Sequence, residues 1–384
     1  MEIYFDNAAT TMVCKEAADV AYKVMTESYG NPSSLHNKGL EVEKQLRIAR
    51  EQVAHAWGVT PGEVYFTSGG TESNNISLGG AILKGRKWGN KVITTKAEHP
   101  AVLEVLEHYR EALGIEVVYI DLLENGLPDM QQLKEKADDK VILVSMMHVN
   151  NETGVIMPVR EAVSIVKKAA PRSFAHSDMV QSFGKTGVTV AALGVDFASI
   201  SGHKIHGPKG IGALYIKKGI TIPTMVFGGG QEKNVRSGTE NTPGICGFGE
   251  AAALAEKEHN NAEKITAEVK DIILKGVMEN LPDCKVNGEN TVSNVLSISF
   301  CGLKSEILLH SLESKGIYVS SGSACSSNHP SPSKVLTAMG RSNKEIDGSL
   351  RFSFSRYNTP QEAKRCVEVL LAEVPEIRRF YGRR

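Results

Sequence analysis

The sequence lacks an excess of charge of either sign and a long apolar run. Its 384 residues contain 44 Lys and Arg and 44 Asp and Glu, so the formal net charge is zero. Nucleic-acid-binding proteins usually carry a basic excess, and anionic membranes attract basic segments, so we expect neither partner. The longest apolar run, from Val141 to Met147, is about seven residues and is far too short to span a membrane.

The sequence also lacks any close group of cysteines. Of six cysteines, the nearest pair, Cys284 and Cys301, is 17 residues apart, so no CxxC motif or His/Cys cluster predicts a metal site. The N-terminus has neither the basic nor the apolar region of a signal peptide. We therefore expect a cytoplasmic protein with free thiols. The open question is whether one of these thiols has a chemical role.

Short β-branched runs alternate with amphipathic stretches through the first two thirds of the chain. The predicted strands are Glu63–Thr67, Lys91–Thr95, Glu116–Ile120, Val141–Met147, Phe174–Ser177, Asp196–Ser201 and Ala213–Ile216. The predicted helices between them are Thr71–Lys84, Ala101–Leu113, Met130–Lys136 and Val159–Ala169. This alternation predicts an α/β fold with a mainly parallel central sheet and helices on both faces.

After about Gly244 the pattern becomes a mixture typical of a smaller α+β domain. Its predicted elements are a long helix over Gly247–Leu281, a strand over Val295–Ser299, a helix over Lys304–Lys315, a serine-rich segment over Ser320–Ser333, a strand over Leu350–Ser353 and a helix over Pro360–Val374. The residues that follow the last helix, 376–384, contain four arginines. A partner site is one interpretation of them, but a frayed, solvated terminus is favoured.

Ligands of open α/β sheets bind at the carboxyl ends of the strands. The first predicted strand leads through Ser68, Gly69, Gly70 and Thr71 into a helix, whose N-terminal N–H groups can bind a phosphate. An ordinary capped strand-to-helix turn is the alternative. The segment is neither a Walker A loop nor a GxGxxG motif, so nucleoside triphosphates and dinucleotides are not favoured.

Two further strand ends carry reactive side chains. Asp178, with Gln181 three residues later, can bind a protonated ring nitrogen, although capping a helix is the commoner use of such an aspartate. Lys204 follows the next strand and is a candidate Schiff-base amine, unless it is simply a solvated loop lysine. A phosphate cup, an acid for a ring nitrogen and an amine are the three groups that pyridoxal 5'-phosphate requires.

The chain resembles the cysteine desulfurases of the aminotransferase class V branch of fold-type I pyridoxal-phosphate enzymes. The resemblance runs essentially from end to end. It is carried by the segments YFDNAATT (4–11), GNPS (30–33), TSGGTES (67–73), EH (98–99), HVNNETG (148–154), SGHK (201–204), GPKG (207–210), RSGTEN (236–241), SSGSACSS (320–327) and RFS (351–353). It implies a large domain over residues 13–257, and a small domain formed by residues 1–12 and 258–384.

The resemblance also implies site roles. Lys204 would carry the cofactor, Asp178 would pair with its ring nitrogen, Gln181 with its phenolate oxygen, and His99 would stack on the ring and help to move protons. Thr71, Ser201 and His203, beside Gly70, would hold the phosphate, and Thr239 would reach the phosphate of the neighbouring subunit in a homodimer. Asn151 and Arg351, with help from Asn31, would bind the substrate carboxylate, for which a planar guanidinium is suited.

The resemblance further implies a role for one thiol, that of Cys325. Lys204 would be displaced by L-cysteine and would then shift its Cα proton, while the Cys325 thiolate attacks the substrate sulfur and leaves L-alanine and a persulfide. An acceptor protein such as an iron–sulfur scaffold would then take the sulfur. A serine-rich linker with an incidental cysteine is the alternative at this segment.

Three other functions use the same residues differently. A selenocysteine lyase or another class V β-lyase would share the cofactor machinery, and an aminotransferase would not need Cys325. A catalytically silent sulfur-transfer scaffold would not need Lys204, Asp178 and Arg351 together. We therefore expect a pyridoxal-phosphate-dependent cysteine desulfurase that supplies sulfur for iron–sulfur clusters or other thio-cofactors.

Overall fold

The architecture is that of an α/β protein with three β-sheets, seen in a computed structural model that describes residues 2–321 and 332–381. The strands are β1 Ile3–Tyr4, β2 Val64–Thr67, β3 Lys91–Thr95, β4 Glu116–Ile120, β5 Val141–Ser145, β6 Phe174–Asp178, β7 Phe197–Ser201, β8 Gly212–Ile216, β9 Cys284–Val286, β10 Val295–Phe300, β11 Ile317–Tyr318, β12 Ser320–Ser321 and β13 Ser349–Ser353.

Helices cover the sheets and connect most of the strands. They are α1 Lys15–Thr26, α2 Asn37–Trp57, α3 Gly70–Gly85, α4 Pro100–Leu113, α5 Met130–Lys136, α6 Val159–Ala169, α7 Val190–Leu193, α8 Thr242–Asn280, α9 Ser305–Ser314, α10 Lys334–Ala338, α11 Asn343–Asp347 and α12 Pro360–Tyr381. No described helix combines the length and the apolar character that crossing a bilayer requires.

The central sheet has seven strands in the order β2-β8-β7-β6-β5-β3-β4. Strands β3 to β7 pair in parallel, whereas β8 is antiparallel to both of its neighbours. The predicted mainly parallel sheet is therefore confirmed. All seven predicted strands occur, but β5 ends at Ser145 rather than Met147, because the backbone N–H of Met147 donates to the carboxylate of Glu98 instead of to a strand.

The helices that cover this sheet follow the apolar periodicity of the sequence. In α6 the buried residues Val159, Ala162, Val163 and Val166 have the i, i+3, i+4, i+7 spacing of one helix face. Helices α1 and α2 were not predicted. In α2 the signal was available, because Val42, Leu46, Ala49 and Val53 have a similar spacing, and all four are buried.

Two further sheets lie in the last third of the chain. One of them, the smaller sheet of the following text, is antiparallel and has four strands in the order β12-β13-β10-β9. In the other, β1 from the N-terminus pairs in parallel with β11. The long helix α8 connects the two cores, because Phe248 is buried in the core of the central sheet and Ile273 in the core of the smaller sheet. The domain boundary at residue 257, which falls between these two residues, stays a prediction.

The C-terminal prediction of a frayed end is wrong, because α12 continues through Pro375 to Tyr381. A proline inside a helix removes one backbone hydrogen bond and costs about 3 kcal/mol. The apolar face of α12 nevertheless extends past it to Ile377, which is buried in the core of the smaller sheet. Arg378 also holds this end, because its guanidinium donates to the carbonyls of Pro282, at 2.7 Å, and Asp283, at 3.2 Å.

We expect Arg378→Ala to loosen this helix end. The variant loses two hydrogen bonds from a charged donor, so the free energy of unfolding should fall by about 1 kcal/mol in urea titrations. Amide hydrogen exchange should accelerate in residues 376–380. The matched control is Arg379→Ala, which removes only a pair with Glu376 on the surface and should change stability by less than about 0.5 kcal/mol. Equal effects of the two variants would contradict this assignment.

Candidate active site

The carboxyl ends of the central strands surround a cavity of about 360 Å³. Ten of the residues predicted for the site line this cavity together. They are Gly70, Thr71, His99, Asn151, Asp178, Gln181, Ser201, His203, Lys204 and Arg351. The parallel pairing of the central strands brings all of these positions except Arg351 to one edge of the central sheet. Arg351 joins them from β13, although it lies 281 positions after Gly70 in the chain.

One end of the cavity is formed by the N-terminus of α3. Gly69 precedes the helix with φ of +154°, a conformation that favours glycine, and it offers no side chain to cap the helix. The first N–H groups of α3 are therefore available to an anion beside Thr71 and Ser201. His203 lies nearby with its Nδ1 3.1 Å from Oγ1 of Thr10, and burial, followed by the charge of Lys204, lowers its pKa to about 4.

Asp178 ends β6 and is fixed by two hydrogen bonds. Its Oδ2 accepts from the side-chain amide of Asn74 at 2.8 Å, and its Oδ1 accepts from the backbone N–H of Val180 at 2.9 Å. The carboxylate is buried and faces the cavity, so it is positioned to stabilise a protonated ring nitrogen. The hydrogen bond from Val180 also caps the following turn. Asp178 can therefore both cap this turn and bind a ring nitrogen, the two uses considered for it above.

His99 both caps a helix and lines the cavity. Its Nδ1 accepts from the backbone N–H of Ala101 at 3.1 Å, at the start of α4. Burial lowers the pKa of His99 and Lys204 lowers it further, while Asp178 opposes them. A neutral ring whose Nδ1 is an acceptor carries its proton on Nε2, which is therefore the proton-bearing atom available to a ligand.

Lys204 ends a 3₁₀ turn directly after β7, and its amine lies among backbone carbonyls of the N-terminal segment. Its Nζ donates to the carbonyls of Ala8 and Ala9, both at 2.7 Å. The side-chain amide of Gln181 donates to the same carbonyl of Ala8 at 2.9 Å. The amine and the amide thus meet at one acceptor on the wall of the cavity.

Arg351 lies on β13 of the smaller sheet and reaches the cavity from the opposite side. It is only 3% exposed, and its Nη2 pairs with Oδ1 of Asp6 while its Nη1 donates to the backbone carbonyl of Asn151, both at 2.9 Å. Its Nε is buried and has no hydrogen-bond partner among the described residues. The guanidinium therefore has donor capacity left for a ligand carboxylate.

Three predicted site residues are not among those lining the cavity. Asn31 is exposed, and its Oδ1 accepts from the backbone N–H of Ser33 in the turn before α2. Thr239 is exposed in the segment before α8. Cys325 lies outside the described residues. The roles assigned to these three residues stay predictions.

Several residues that shape the site were missed by the sequence analysis. Asn74 orients Asp178, and its position one helical turn after Gly70 was the available signal. Glu98 is buried beneath the site, where its carboxylate accepts from the backbone N–H of Met147 and from Thr95, and burial raises its pKa to about 8. Asp6 lies within the quoted YFDNAATT segment, but only the structure pairs it with Arg351.

The residues present fit pyridoxal 5'-phosphate. The cavity lies within the size range of small-molecule sites. As this cofactor requires, one end of the cavity has an uncapped helix N-terminus, and the Lys204 amine also lines the cavity. Oδ1 of Asn74 and Nε of Arg351 are buried without partners among the described residues, which indicates that the cavity is built to contain a polar ligand.

Known proteins match the chain over nearly its whole length. The profile of the family Aminotransferase class-V matches residues 3–366. Cysteine desulfurase IscS of Methanosarcina thermophila is 40% identical over 98% of this chain and 91% of its own length. A solved NifS-like protein is 37% identical with a TM-score of 0.90, covering 99% of this chain and 100% of that chain.

A structure of SspA in complex with cysteine also matches, at 31% identity and a TM-score of 0.81, covering 94% of this chain and 100% of that chain. These matches confirm the family resemblance and the fold class that the sequence motifs indicated. The chain belongs to the aminotransferase class-V family and, within it, to the cysteine desulfurases, enzymes that use pyridoxal 5'-phosphate as their cofactor.

Proposed function

We propose that this enzyme takes sulfur from L-cysteine, releases L-alanine and stores the sulfur as a persulfide on Cys325. The observation that carries the proposal is the convergence of Lys204, Asp178 and Arg351 on one cavity. An amine, an acid for a ring nitrogen and a carboxylate receptor are the groups that an amino-acid substrate of a pyridoxal-phosphate enzyme needs.

Lys204 would hold pyridoxal phosphate through its amine, and the bound group would supply a sink for electrons of the substrate. Asp178 holds the ring nitrogen in its protonated form, and the bond from Asn74 keeps the carboxylate in place. The Lys204 amine would move the proton of the substrate Cα. His99 would offer its Nε2–H to the bound group.

Arg351 orients the substrate by its carboxylate. The guanidinium is already fixed by Asp6 and by the carbonyl of Asn151, so little side-chain freedom is lost when the substrate binds. Because the arginine is buried, its interaction with a carboxylate is screened less than on the surface. The substrate sulfur is then presented at a constant position relative to Lys204.

The transfer itself breaks the substrate Cβ–S bond and forms an S–S bond at Cys325. The Cys325 thiolate attacks the substrate sulfur, and the electron pair of the broken bond, with a proton, remains on the carbon that becomes the alanine methyl group. L-Cysteine plus thiol thus gives L-alanine plus persulfide, without an added oxidant or reductant. The thiolate is the competent nucleophile for this step.

The described residues on both sides of Cys325 support its assignment. Ser320 pairs with Arg351 across β12 and β13, and Ser333 donates its hydroxyl to Glu152, the neighbour of Asn151. Both flanks therefore lie next to the residues that we assign to the substrate carboxylate. Cys325 follows Ser321 by four positions, so the chain length limits the distance between their Cα atoms to at most about 14 Å.

The test of the sulfur-accepting residue is Cys325→Ser. Incubation with L-cysteine followed by peptide mass analysis should show one added sulfur on the Cys325 peptide of the native enzyme. The variant should bind the cofactor normally but lose sulfide release by at least about 100-fold, because a serine hydroxyl cannot store transferable sulfur. The control is Cys301→Ser, because Cys301 is a free thiol in the turn directly after β10. Unchanged turnover in Cys325→Ser, or sulfur on another cysteine, would overturn the assignment.

The carboxylate receptor is tested by Arg351→Lys. Lysine keeps the charge but not the planar fork, so kcat/KM for L-cysteine should fall about 10- to 100-fold, mainly through KM. Arg341→Lys is the control, since Arg341 is also a largely buried arginine but pairs with Glu345. Steady-state kinetics give the result. A KM equal to that of the control would contradict the role of Arg351.

We further infer that the enzyme is a homodimer in which Thr239 completes the partner's phosphate site. In a single chain Thr239 is exposed and outside the cavity. Large apolar side chains are exposed on α1, on and before α2, and on the loop before Thr239: Met25, Tyr29, Leu35, Leu40 and Phe227, which is 83% exposed. Apolar surface of this kind marks interaction sites of proteins.

Mixed dimers test this arrangement. Thr239→Ala should weaken cofactor binding about 10-fold by removing a hydrogen bond to the phosphate. Mixing it with Lys204→Ala subunits should restore tight binding in the Thr239→Ala subunits, because the partner then supplies Thr239. Mixing with the Lys204→Ala/Thr239→Ala double variant should restore nothing. Fluorescence titration with the cofactor measures how tightly each of the two mixtures binds it. Equal results from the two mixtures, or a cofactor-loaded monomer in sedimentation, would refute the proposal.

We place the enzyme in the cytoplasm, and we propose that an acceptor protein such as an iron–sulfur scaffold takes its sulfur. The five cysteines of the described residues are all free thiols, as is typical of a reducing compartment. Loading Cys325 with labelled sulfur and adding the candidate scaffold tests the transfer, which should empty Cys325 as the scaffold gains label.

A further inference from the structure

A second, small cavity lies behind Lys204, on a side that the proposed reaction does not use. It measures about 60 Å³, and Lys185 and Lys204 both line it. Lys204 also lines the larger cavity, so the two cavities share this residue in their walls. Lys185 follows Gln181 by four residues, in a helical turn where the N–H of Lys185 donates to the carbonyl of Ser182.

Lys185 contacts the site through Gln181. Its Nζ donates to Oε1 of Gln181 at 3.4 Å, and Nε2 of Gln181 donates to the carbonyl of Ala8 at 2.9 Å. The Lys204 amine donates to the same carbonyl. These hydrogen bonds form a chain from the second cavity, through the amide of Gln181, to the wall of the cofactor cavity.

The direction of the Gln181 amide follows from this chain. A lysine ammonium has three donors and no acceptor, so only the amide oxygen can face Lys185. The NH₂ group must then face the larger cavity, where it can donate to an acceptor such as the phenolate oxygen of pyridoxal phosphate. A charged donor behind the amide oxygen also polarises the amide and strengthens the bond made by its NH₂ group.

The surroundings make Lys185 sensitive to pH near neutrality. Burial, followed by the charges of Lys204 and Arg351, lowers the pKa of Lys185 to about 7. The charged or titratable groups that share its cavity or act on it are Lys204, His206, His259, Glu263, Arg356 and Arg351, and Lys185 in turn acts on His203. Below its pKa the amine is a cation and donates to Gln181. Above its pKa the charge is lost.

We propose that Lys185 is a positioning residue that holds the amide of Gln181 with its NH₂ group toward the phenolate oxygen of the cofactor. The proposal rests on the pyridoxal-phosphate chemistry described above. Its consequence is electrostatic, because a stronger donor to the phenolate stabilises the deprotonated form of the Lys204–cofactor linkage. The linkage should therefore lose its proton at lower pH than it would without Lys185.

The experiment is a spectrophotometric pH titration of the visible band of the bound cofactor in the holoenzyme. Lys185→Met should raise the midpoint by about half a unit to one unit, since a charge and a fixed donor are removed. Lys185→Arg keeps a donor and stays charged at every pH, so its midpoint should not lie above that of the native enzyme. Lys168→Met, at an exposed position on α6, is the matched control and should not shift the midpoint.

A double variant separates positioning from a long-range charge effect. In a Gln181→Leu background, Lys185→Met should change the midpoint by less than about 0.2 units, because the residue through which Lys185 acts is gone. A full shift in that background, or no shift in the single variant, would overturn the proposal. If Lys185→Met does not bind the cofactor, Lys185→Gln replaces it, and the same shift of the titration midpoint is expected. A native enzyme without any visible band would instead refute the cofactor chemistry itself.

Discussion

The N-terminal segment from Ile3 to Thr11 is the constraint on which the site depends. Its strand β1 pairs with β11, and Asp6 pairs through its backbone with Ser353, the last residue of β13 in the smaller sheet. Beyond Asp6 the segment crosses to the central sheet, where Thr11 donates to the carbonyl of His203. One short piece of chain thus contacts both halves of the site.

This segment contributes mostly backbone atoms. The carbonyl of Ala8 accepts from both Lys204 and Gln181, and Asp6 adds a carboxylate that pairs with Arg351. Backbone carbonyls cannot be lost by substitution and do not change charge, so they hold the amine without competing for its proton. The reacting groups of the central sheet and the carboxylate receptor of the smaller sheet are brought into register by the same residues.

The buried charges follow from this arrangement. Arg351 is almost fully enclosed and would be destabilising without a partner, since an unpaired buried charge costs several kcal/mol. Asp6 removes most of that penalty and leaves Nε for a ligand. On the opposite side, Lys185 and Lys204 are two amines beside a common cavity. Burial lowers the pKa of Lys185, and the charge of Lys204 lowers it further. The charges of the site are therefore coupled through its walls.

Apolar runs and dense motifs such as SGHK at 201–204 are local features, so the sequence alone predicts the seven strands of the central sheet, the class of fold, the cofactor and the family. It did not determine the sheet order, in which β8 lies antiparallel between β2 and β7, since pairing depends on long-range contacts. Nor did it reveal that Asn74 orients Asp178, or that Asp6 meets Arg351 across 345 positions of the chain. Such partners are chosen by three-dimensional packing, which brings together side chains whose individual positions carry no local signal. That is also why Lys185, an ordinary lysine in the sequence, acquires its place beside the cofactor site only in the folded chain.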